Sequence, residues 1–301
     1  MKEIIKITLS LTAICVAAAL ILGAVFAKTD HARKENEEKR NKELVQGLLG
    51  YGASAKAPEN LKVYSVYRYV ISEGKTLTLG YLVPLKDKKH ALVQVDLSGK
   101  PGKVTQVDAD ETKLGERDTR DAAINGVLPK GAQATYAETF HVADMDGKRF
   151  GYVVEGTTQG FKTFVELMVS LEPDFTIKGV GIKKSEEDPG LGDEIKKDFF
   201  KNQFVGKTAE LLKTLKVVKE PLPTDYLPAL EPALAKRDKL SPDQVAKIKE
   251  KHVKDDIYAL TGATISSRAV TNGVKDIVRK FVYRLDILTD ALKKENVQVV
   301  F

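Results

Sequence analysis

Hydroxyl-bearing and small side chains cluster at the start of the last helical pattern in the sequence. Residues 260–267 read LTGATISS. A glycine here permits a tight turn, and the first amide groups of the following helix have no partner inside it. Together with the positive end of the helix dipole, these donors favour an anion-binding site, and the alternative is a helix cap without a ligand. The candidate binding residues are Thr261, Gly262, Ala263, Thr264, Ser266 and Ser267.

A loop earlier in the chain combines acidic and small residues. Residues 186–192 read EEDPGLG. Glu186, Glu187 and Asp188 could form an acidic pair for general acid chemistry. Three acids in one charged loop are more typical of a solvated surface, and we favour that interpretation.

The element that must position the hydroxyl cluster is an amphipathic helix. Its apolar residues recur at helical spacing, and its charged residues lie largely off that face. We expect the apolar face to pack against the core. The apolar positions are Val270, Val274, Ile277, Val278, Phe281, Leu285 and Leu288, and the charged ones are Arg268, Lys275, Arg279 and Lys280.

Three shorter helices are predicted between the acidic loop and this last helix. One runs from about Asp193 to Phe200, and a second, over 209–215, is capped by Thr208. The third begins after Ser241, where serine at the cap, proline at the first position and Gln244 at the third form a capping box.

Two similar β-rich stretches precede the acidic loop. The first has strand patterns at 66–70, 77–83, 91–97 and 102–107, and the second at 139–142, 150–155, 164–171 and 176–180. Each begins with a hairpin whose turn contains Gly-Lys. We interpret the pair as a duplicated β-unit, and the alternative is a chance likeness of two antiparallel meanders.

An uncharged segment near the N-terminus is long enough to cross a membrane. Ile7–Ala27 lies between Lys6 and Lys28 and spans roughly 31 Å as a helix at ~1.5 Å per residue. We expect an uncleaved anchor, and the alternative is a cleaved signal peptide. Cationic residues lie on both sides, so charge does not fix the orientation. Residues 28–44 are predicted to form a charged helical stalk.

Composition excludes several classes of protein. The chain has 301 residues, 43% of them hydrophobic, with 48 Lys plus Arg, 42 Asp plus Glu and a net charge of +6. This composition is globular, and so mild a basic excess predicts no nucleic-acid binding. One Cys excludes a disulfide framework, and four His without ligand spacing predict no metal site.

Two motifs resemble those of a known family. Residues 261–264, Thr-Gly-Ala-Thr, match the [ST]-G-A-T signature of FMN-binding domains in the RnfG/NqrC family. Residues 187–192 are similar to that family's E-T-P-G-L-G loop, and Asn202-Gln203-Phe204 follows at the family's distance. The likeness covers roughly residues 135–290 and the N-terminal anchor, and RnfG is the closer relative.

The resemblance implies an α+β fold with one transmembrane helix, followed by an FMN-binding domain of antiparallel strands and helices. The implied domains are a cytoplasmic start and anchor (1–28), a charged stalk (29–60), an additional β-rich unit (61–130) and the FMN-binding domain (131–301). The implied location is the bacterial inner (cytoplasmic) membrane, single-pass, with the large domain extracytoplasmic.

The resemblance also implies a function. Thr264 would carry FMN through a phosphoester bond, attached by a flavin transferase, and the isoalloxazine would lie over the loop at 189–191. The chain would relay electrons among other membrane subunits of an Rnf/Nqr-like ion-translocating oxidoreductase, without independent turnover. Besides the hydroxyl cluster, the implied FMN contacts are Glu187, Pro189, Gly190 and Leu191.

One departure from the family pattern favours an alternative function. The family usually has Asp three residues before the first Thr or Ser of the motif, where this chain has Tyr258, with Asp255 and Asp256 slightly upstream. The chain could therefore be a flavin-free, membrane-anchored assembly or binding module with the same fold. A third reading is a stand-alone membrane-anchored flavoprotein reductase.

Overall fold

The computed structural model describes residues 1–52, 56–87, 89–108 and 114–301, with only the backbone of His31. Parts of the predicted stalk (53–55) and of the first β-rich unit (88 and 109–113) lie outside the described residues. The chain divides into two compact units, Met1–Leu44 and Val45–Phe301.

The first unit consists of most of one long helix, α1 (Lys2–Leu48). The hydroxyls of Thr8 and Thr12 each donate a hydrogen bond to the carbonyl four residues earlier, and these bonds allow polar side chains in an apolar helix. Among the described residues, α1 is the one helix long and apolar enough to span a membrane, and a signal sequence would meet the same criterion.

The second unit contains one antiparallel sheet of eight strands. The spatial order is β4-β3-β2-β1-β5-β6-β7-β8, so two four-stranded meanders meet where β1 pairs with β5. Both predicted β-rich stretches are thereby confirmed as meanders. Their strands are β1 (Leu61–Glu73), β2 (Thr76–Pro84), β3 (His90–Asp96), β4 (Pro101–Val107), β5 (Ala132–Met145), β6 (Lys148–Gln159), β7 (Phe164–Leu171) and β8 (Ile177–Lys184).

Short helices and one small sheet complete the unit. The predicted caps are confirmed: Thr208 accepts from the amide of Leu211, and Ser241 forms a capping box with Gln244. The helices are α2 (Arg117–Val127), α3 (Asp198–Lys201), α4 (Ala209–Thr214), α5 (Tyr226–Leu230), α6 (Pro232–Arg237), α7 (Pro242–His252) and α8 (Thr264–Lys294), and β9 (Val217–Val218) pairs in parallel with β10 (Ile257–Tyr258).

The single helix predicted over 193–200 is wrong. The structure has a 3₁₀ turn over Gly192–Lys196 and then α3. Lys197 lies between them in an extended conformation, with φ −74° and ψ 149°. An extended residue ends the helical hydrogen-bond pattern, so the segment splits into two short turns.

Helix α8 supplies the main core. All seven of its predicted apolar positions are buried, which confirms the amphipathic pattern. Phe281 packs edge-on against Phe140 and Tyr152 of the sheet, with ring centroids 5.2 and 5.1 Å apart. A second cluster, which includes Ile124 of α2, packs on the other face of the first meander.

Candidate functional site

Three of the four hydroxyls of the cluster lie within the first turn of α8. The helix begins at Thr264, and Ala263 occupies the cap position without a side-chain cap. Thr261 precedes the helix and is exposed, whereas Ser266 and Ser267 are buried. Within the described part of the chain, the hydroxyl of half-buried Thr264 has no hydrogen-bond partner.

Two of the predicted hydroxyls are already engaged by the protein. Ser267 Oγ accepts from the amide of Leu260 (3.0 Å) and donates to the carbonyl of Ala263 (2.9 Å), which closes the turn before the helix. Ser266 Oγ donates to Glu187 Oε2. The hydroxyls that remain for a ligand are those of Thr261 and Thr264.

Backbone amides supply the other donors. The amide of Ser267 donates to the carbonyl of Ala263, as the first regular hydrogen bond of α8. The amides of Thr264, Ile265 and Ser266 precede it and have no partner among the described residues. Three free amides beside the free hydroxyl of Thr264 form a site suited to a phosphate group.

Glu187 joins three segments at this site. Its side chain is buried, and Oε1 accepts hydrogen bonds from the amides of Phe161 (2.8 Å) and Lys162 (3.1 Å). Since Oε2 accepts from Ser266, both oxygens have protein partners. The carboxylate therefore ties the β6–β7 turn and the acidic loop to the first turn of α8.

Glycines make room for this carboxylate. A methyl group on Gly160 would lie 2.4 Å from Glu187 Oε1, and one on Gly192 would lie 2.6 Å from Oε2. Neither contact is sterically possible without a shift. Gly190 and Gly262 are required for a different reason, because their φ angles are +75° and +76°.

Close packing between α8 and the sheet brings the helix start to the loops. A methyl group on Gly156 of β6 would lie 2.5 Å from Ile277, and one on Gly273 of α8 would lie 2.7 Å from Leu167. Thr158 also donates to the carbonyl of Ala269 (3.0 Å). The helix thus follows β6 closely toward the turn that contains Gly160.

Three large apolar side chains are exposed around the site, and we name them the apolar platform. They are Phe161 (59% exposed), Leu191 (48%) and Ile265 (59%). Leu191 lies against Gly262. If Gly262 carried a Cβ atom, that atom would lie 3.1 Å from Leu191 Cδ2. Exposed apolar side chains clustered at one place are typical of a binding surface.

Phe161 and its neighbour Lys162 are not among the site residues predicted from the sequence. The signal was an aromatic and a lysine directly after Gly160, at the end of β6. Lys162 forms an ion pair with Asp188, and this carboxylate raises the pKa of the lysine. The pair links the same two loops that Glu187 joins.

Two side chains of the Asn-Gln-Phe motif bind backbone groups of later segments. The buried side chain of Gln203 accepts from the amide of Tyr258 (2.8 Å) and donates to the carbonyl of the same residue (3.3 Å). Asn202 donates to the carbonyl of Leu230 (2.7 Å). The motif therefore fixes β10, which leads into the turn before α8.

Tyr258 and the two nearby acids form their own contacts. The hydroxyl of Tyr258 donates to Asp255 Oδ2 (3.0 Å), and burial, with this hydrogen bond, raises its pKa to about 12. Asp255 Oδ2 also lies 2.6 Å from His252 Nδ1, and Asp256 Oδ1 accepts from the amide of Lys216 (2.8 Å). Both carboxylates upstream of the motif thus have protein partners.

The described residues contain no group of three or more His, Cys, Asp or Glu side chains that could hold a metal ion. The site itself offers amides, hydroxyls, the buried carboxylate of Glu187, the Lys162–Asp188 ion pair and exposed apolar side chains.

Comparison with known proteins identifies the segment that contains this site. Residues 160–279 match the family model described as FMN-binding domain. The chain carries an FMN-binding domain. The match begins at the glycine that contacts Glu187 and includes the apolar platform and the first half of α8.

Two curated relatives show distant homology to this chain. The chain is 30% identical over 141 residues to the G component of the proton-translocating ferredoxin:NAD(+) oxidoreductase complex of Clostridium ljungdahlii, covering 47% of this chain and 58% of that protein. It is 31% identical over 135 residues to the Na(+)-translocating counterpart of Acetobacterium woodii, covering 44% and 50%. The chain matches little more than half the length of these relatives.

Two solved structures show a weak likeness. The crystal structure of NqrC from Shewanella oneidensis has a TM-score of 0.45 at 18% identity, covering 80% of this chain and 91% of that one. The C component of the Na(+)-translocating NADH-quinone reductase from Parabacteroides distasonis has a TM-score of 0.34 at 22% identity, covering 59% and 71%. The α+β class rests on this chain's own sheet and helices.

Proposed function

We propose that this protein is a membrane-anchored electron carrier whose FMN is attached to Thr264 by a phosphoester. The observation that carries the proposal is the free hydroxyl of Thr264 beside three free amides at the start of α8. That site lies within the segment that matches the FMN-binding domain. A phosphate held there would gain the hydrogen bonds and the dipole that a helix start offers.

The other site residues contact the phosphate, contact the ring or position the segments that do so. The turn before α8, formed by Thr261, Gly262 and Ala263, lies beside the phosphate. Thr261 contributes a hydroxyl to it. Pro189, Gly190 and Leu191 offer a loop with little side-chain obstruction, over which the ring lies, and Phe161 and Ile265 extend that surface. Ser266, Ser267 and Glu187 hold these segments in place through their hydrogen bonds.

FMN, when bound, supplies the redox chemistry, and the protein binds and orients it. Covalent attachment suits a carrier that must not lose its cofactor to the surrounding water. We propose no independent turnover for the chain.

We further propose that the chain works within an Rnf/Nqr-like ion-translocating complex. The support is the distant homology to the G components of two ferredoxin:NAD(+) oxidoreductases. In this proposal α1 is a single-pass anchor in the inner membrane, and the domain at 131–301 is extracytoplasmic. Other membrane subunits exchange electrons with the flavin, and a flavin transferase attaches it.

The attachment site is tested with a matched pair of variants. Thr264→Ala removes the proposed ester oxygen, and Thr261→Ala removes the other free hydroxyl of the motif. After co-expression with a flavin transferase, in-gel flavin fluorescence is expected in the wild type and Thr261→Ala and not in Thr264→Ala. Fluorescence that persists in Thr264→Ala would refute the assignment.

A flavin-free assembly module is the second candidate function. The observation that favours it is Tyr258, which stands where the resembled family has Asp. Purification with the neighbouring membrane subunits separates the two functions. Yellow protein supports the electron carrier, and colourless protein from cells with an active flavin transferase supports the assembly module.

A further inference from the structure

Glu187 lies at the centre of the backbone that carries the apolar platform. Phe161 donates its own amide to the carboxylate, and Ile265 precedes Ser266, which donates its hydroxyl. Leu191 precedes Gly192, where an added methyl group would lie 2.6 Å from Glu187 Oε2. Each platform residue is thus within one chain position of a group that contacts this carboxylate.

The carboxylate of Glu187 is buried and forms no direct ion pair among the described residues. Its three hydrogen-bond partners all donate to its oxygens. In the part of the chain that the structure describes, no Lys, Arg or His nitrogen lies within 4.0 Å of it. Glu187 is only 5% exposed, so solvent and salt screen its charge weakly.

We propose that Glu187 sets the reduction potential of the bound flavin. The inference rests on the proposed function, in which the ring lies on the apolar platform. Each electron that the ring accepts comes from the donor in the complex and adds one negative charge, unless a proton from solvent follows. A fixed negative charge beside the ring opposes that uptake and lowers the potential. Because both its oxygens are occupied, Glu187 acts as a positioning residue rather than as a ligand.

Glu187→Gln tests the charge, because glutamine keeps the shape and an acceptor for the two amides. The probe is the full-length protein with covalent FMN, and the readout is the midpoint potential from spectroelectrochemistry. We expect an upward shift. The matched control is Glu186→Gln, which removes the same charge one residue earlier from a side chain that is 60% exposed. We expect little shift in the control, and equal midpoints in the two variants would overturn the inference.

Glu187→Asp separates charge from structure. It keeps the negative charge but shortens the side chain, so it strains the hydrogen bonds to Phe161 and Ser266. We expect a lower melting temperature with a midpoint close to that of the wild type. A purely structural role predicts the reverse order, in which Glu187→Asp shifts the midpoint at least as far as Glu187→Gln, and that result would overturn the proposal.

A second pair of variants covers the case in which Glu187→Gln does not fold. Ile265 is exposed, so Ile265→Glu and Ile265→Lys place opposite charges on the platform without disturbing the core. We expect the first to lower the midpoint and the second to raise it. Equal midpoints would mean that a charge on the platform does not affect the potential of the ring, and the inference would fail.

A colourless wild type would instead refute the proposed function, and this inference with it.

Discussion

At the scale of single residues, hydrogen-bond partners distinguish the hydroxyls of the motif. The hydroxyl of Ser266 donates to Glu187, and that of Ser267 forms hydrogen bonds within the turn before α8. The hydroxyl of Thr264 has no hydrogen-bond partner among the described residues. The sequence presents these side chains as equivalent, because each is a small hydroxyl near a helix start. Their different partners assign the first two to structure and leave the hydroxyl of Thr264 available for a ligand.

Lys207 gives a prediction about pH at this scale. Its ammonium group is buried and donates to the carbonyls of Val253 (2.7 Å) and Asp255 (2.5 Å). Burial lowers its pKa to about 8 from 10.5. Between these values the unfolded chain binds a proton that the folded chain does not, so the free energy of unfolding rises with pH.

The measurement is urea unfolding at pH 8 and pH 10. We expect the wild type to gain up to about 3 kcal/mol relative to Lys207→Met over the full window, at ~1.4 kcal/mol per pKa unit. Lys213→Met, at an exposed side chain, is the control and should follow the wild type. The same pH dependence in Lys207→Met and the wild type would contradict the account.

At the scale of elements, Gly192 decides whether the acidic loop can reach α8. A methyl group there would lie 2.6 Å from Glu187 Oε2 and 2.8 Å from Ser266 Oγ. We expect Gly192→Ala to lower the free energy of unfolding by about 1–3 kcal/mol, because the loop must shift.

The matched control is Gly126→Ala in α2, where an added methyl group meets nothing within 4 Å. Alanine favours helix over glycine by roughly 0.5–1 kcal/mol, so this variant should gain stability. Chemical denaturation measures both variants. A Gly192→Ala variant as stable as the wild type would show that the contact does not constrain the loop.

Secondary-structure elements could be predicted from the sequence, and the contacts between them could not. The two meanders, the two helix caps and the apolar face of α8 follow from local periodicity and local hydrogen bonds, and each was predicted. The hydrogen bond between Ser266 and Glu187 joins residues 79 positions apart, and the one between the amide of Phe161 and Glu187 joins residues 26 positions apart. Such contacts arise from the tertiary fold and leave no local pattern.

At the scale of the whole molecule, the N-terminal helix leads to a prediction about where the protein resides. α1 contains one apolar window suited to a membrane span, and a signal sequence is the competing explanation. We expect the mature chain to retain residues 1–28 and to stay in the membrane fraction after an alkaline wash. Intact mass and fractionation measure this. A mature chain that begins near residue 28 and is released by the wash would identify a cleaved signal.

The central claim is the ester at Thr264, and peptide mass mapping tests it most directly. The full-length protein is produced together with a flavin transferase and then digested. The account predicts that the peptide containing Thr264 gains the mass of one FMN less one water, with fragmentation placing the addition on that residue. An unmodified Thr264 peptide, or an addition on any other residue, would contradict it.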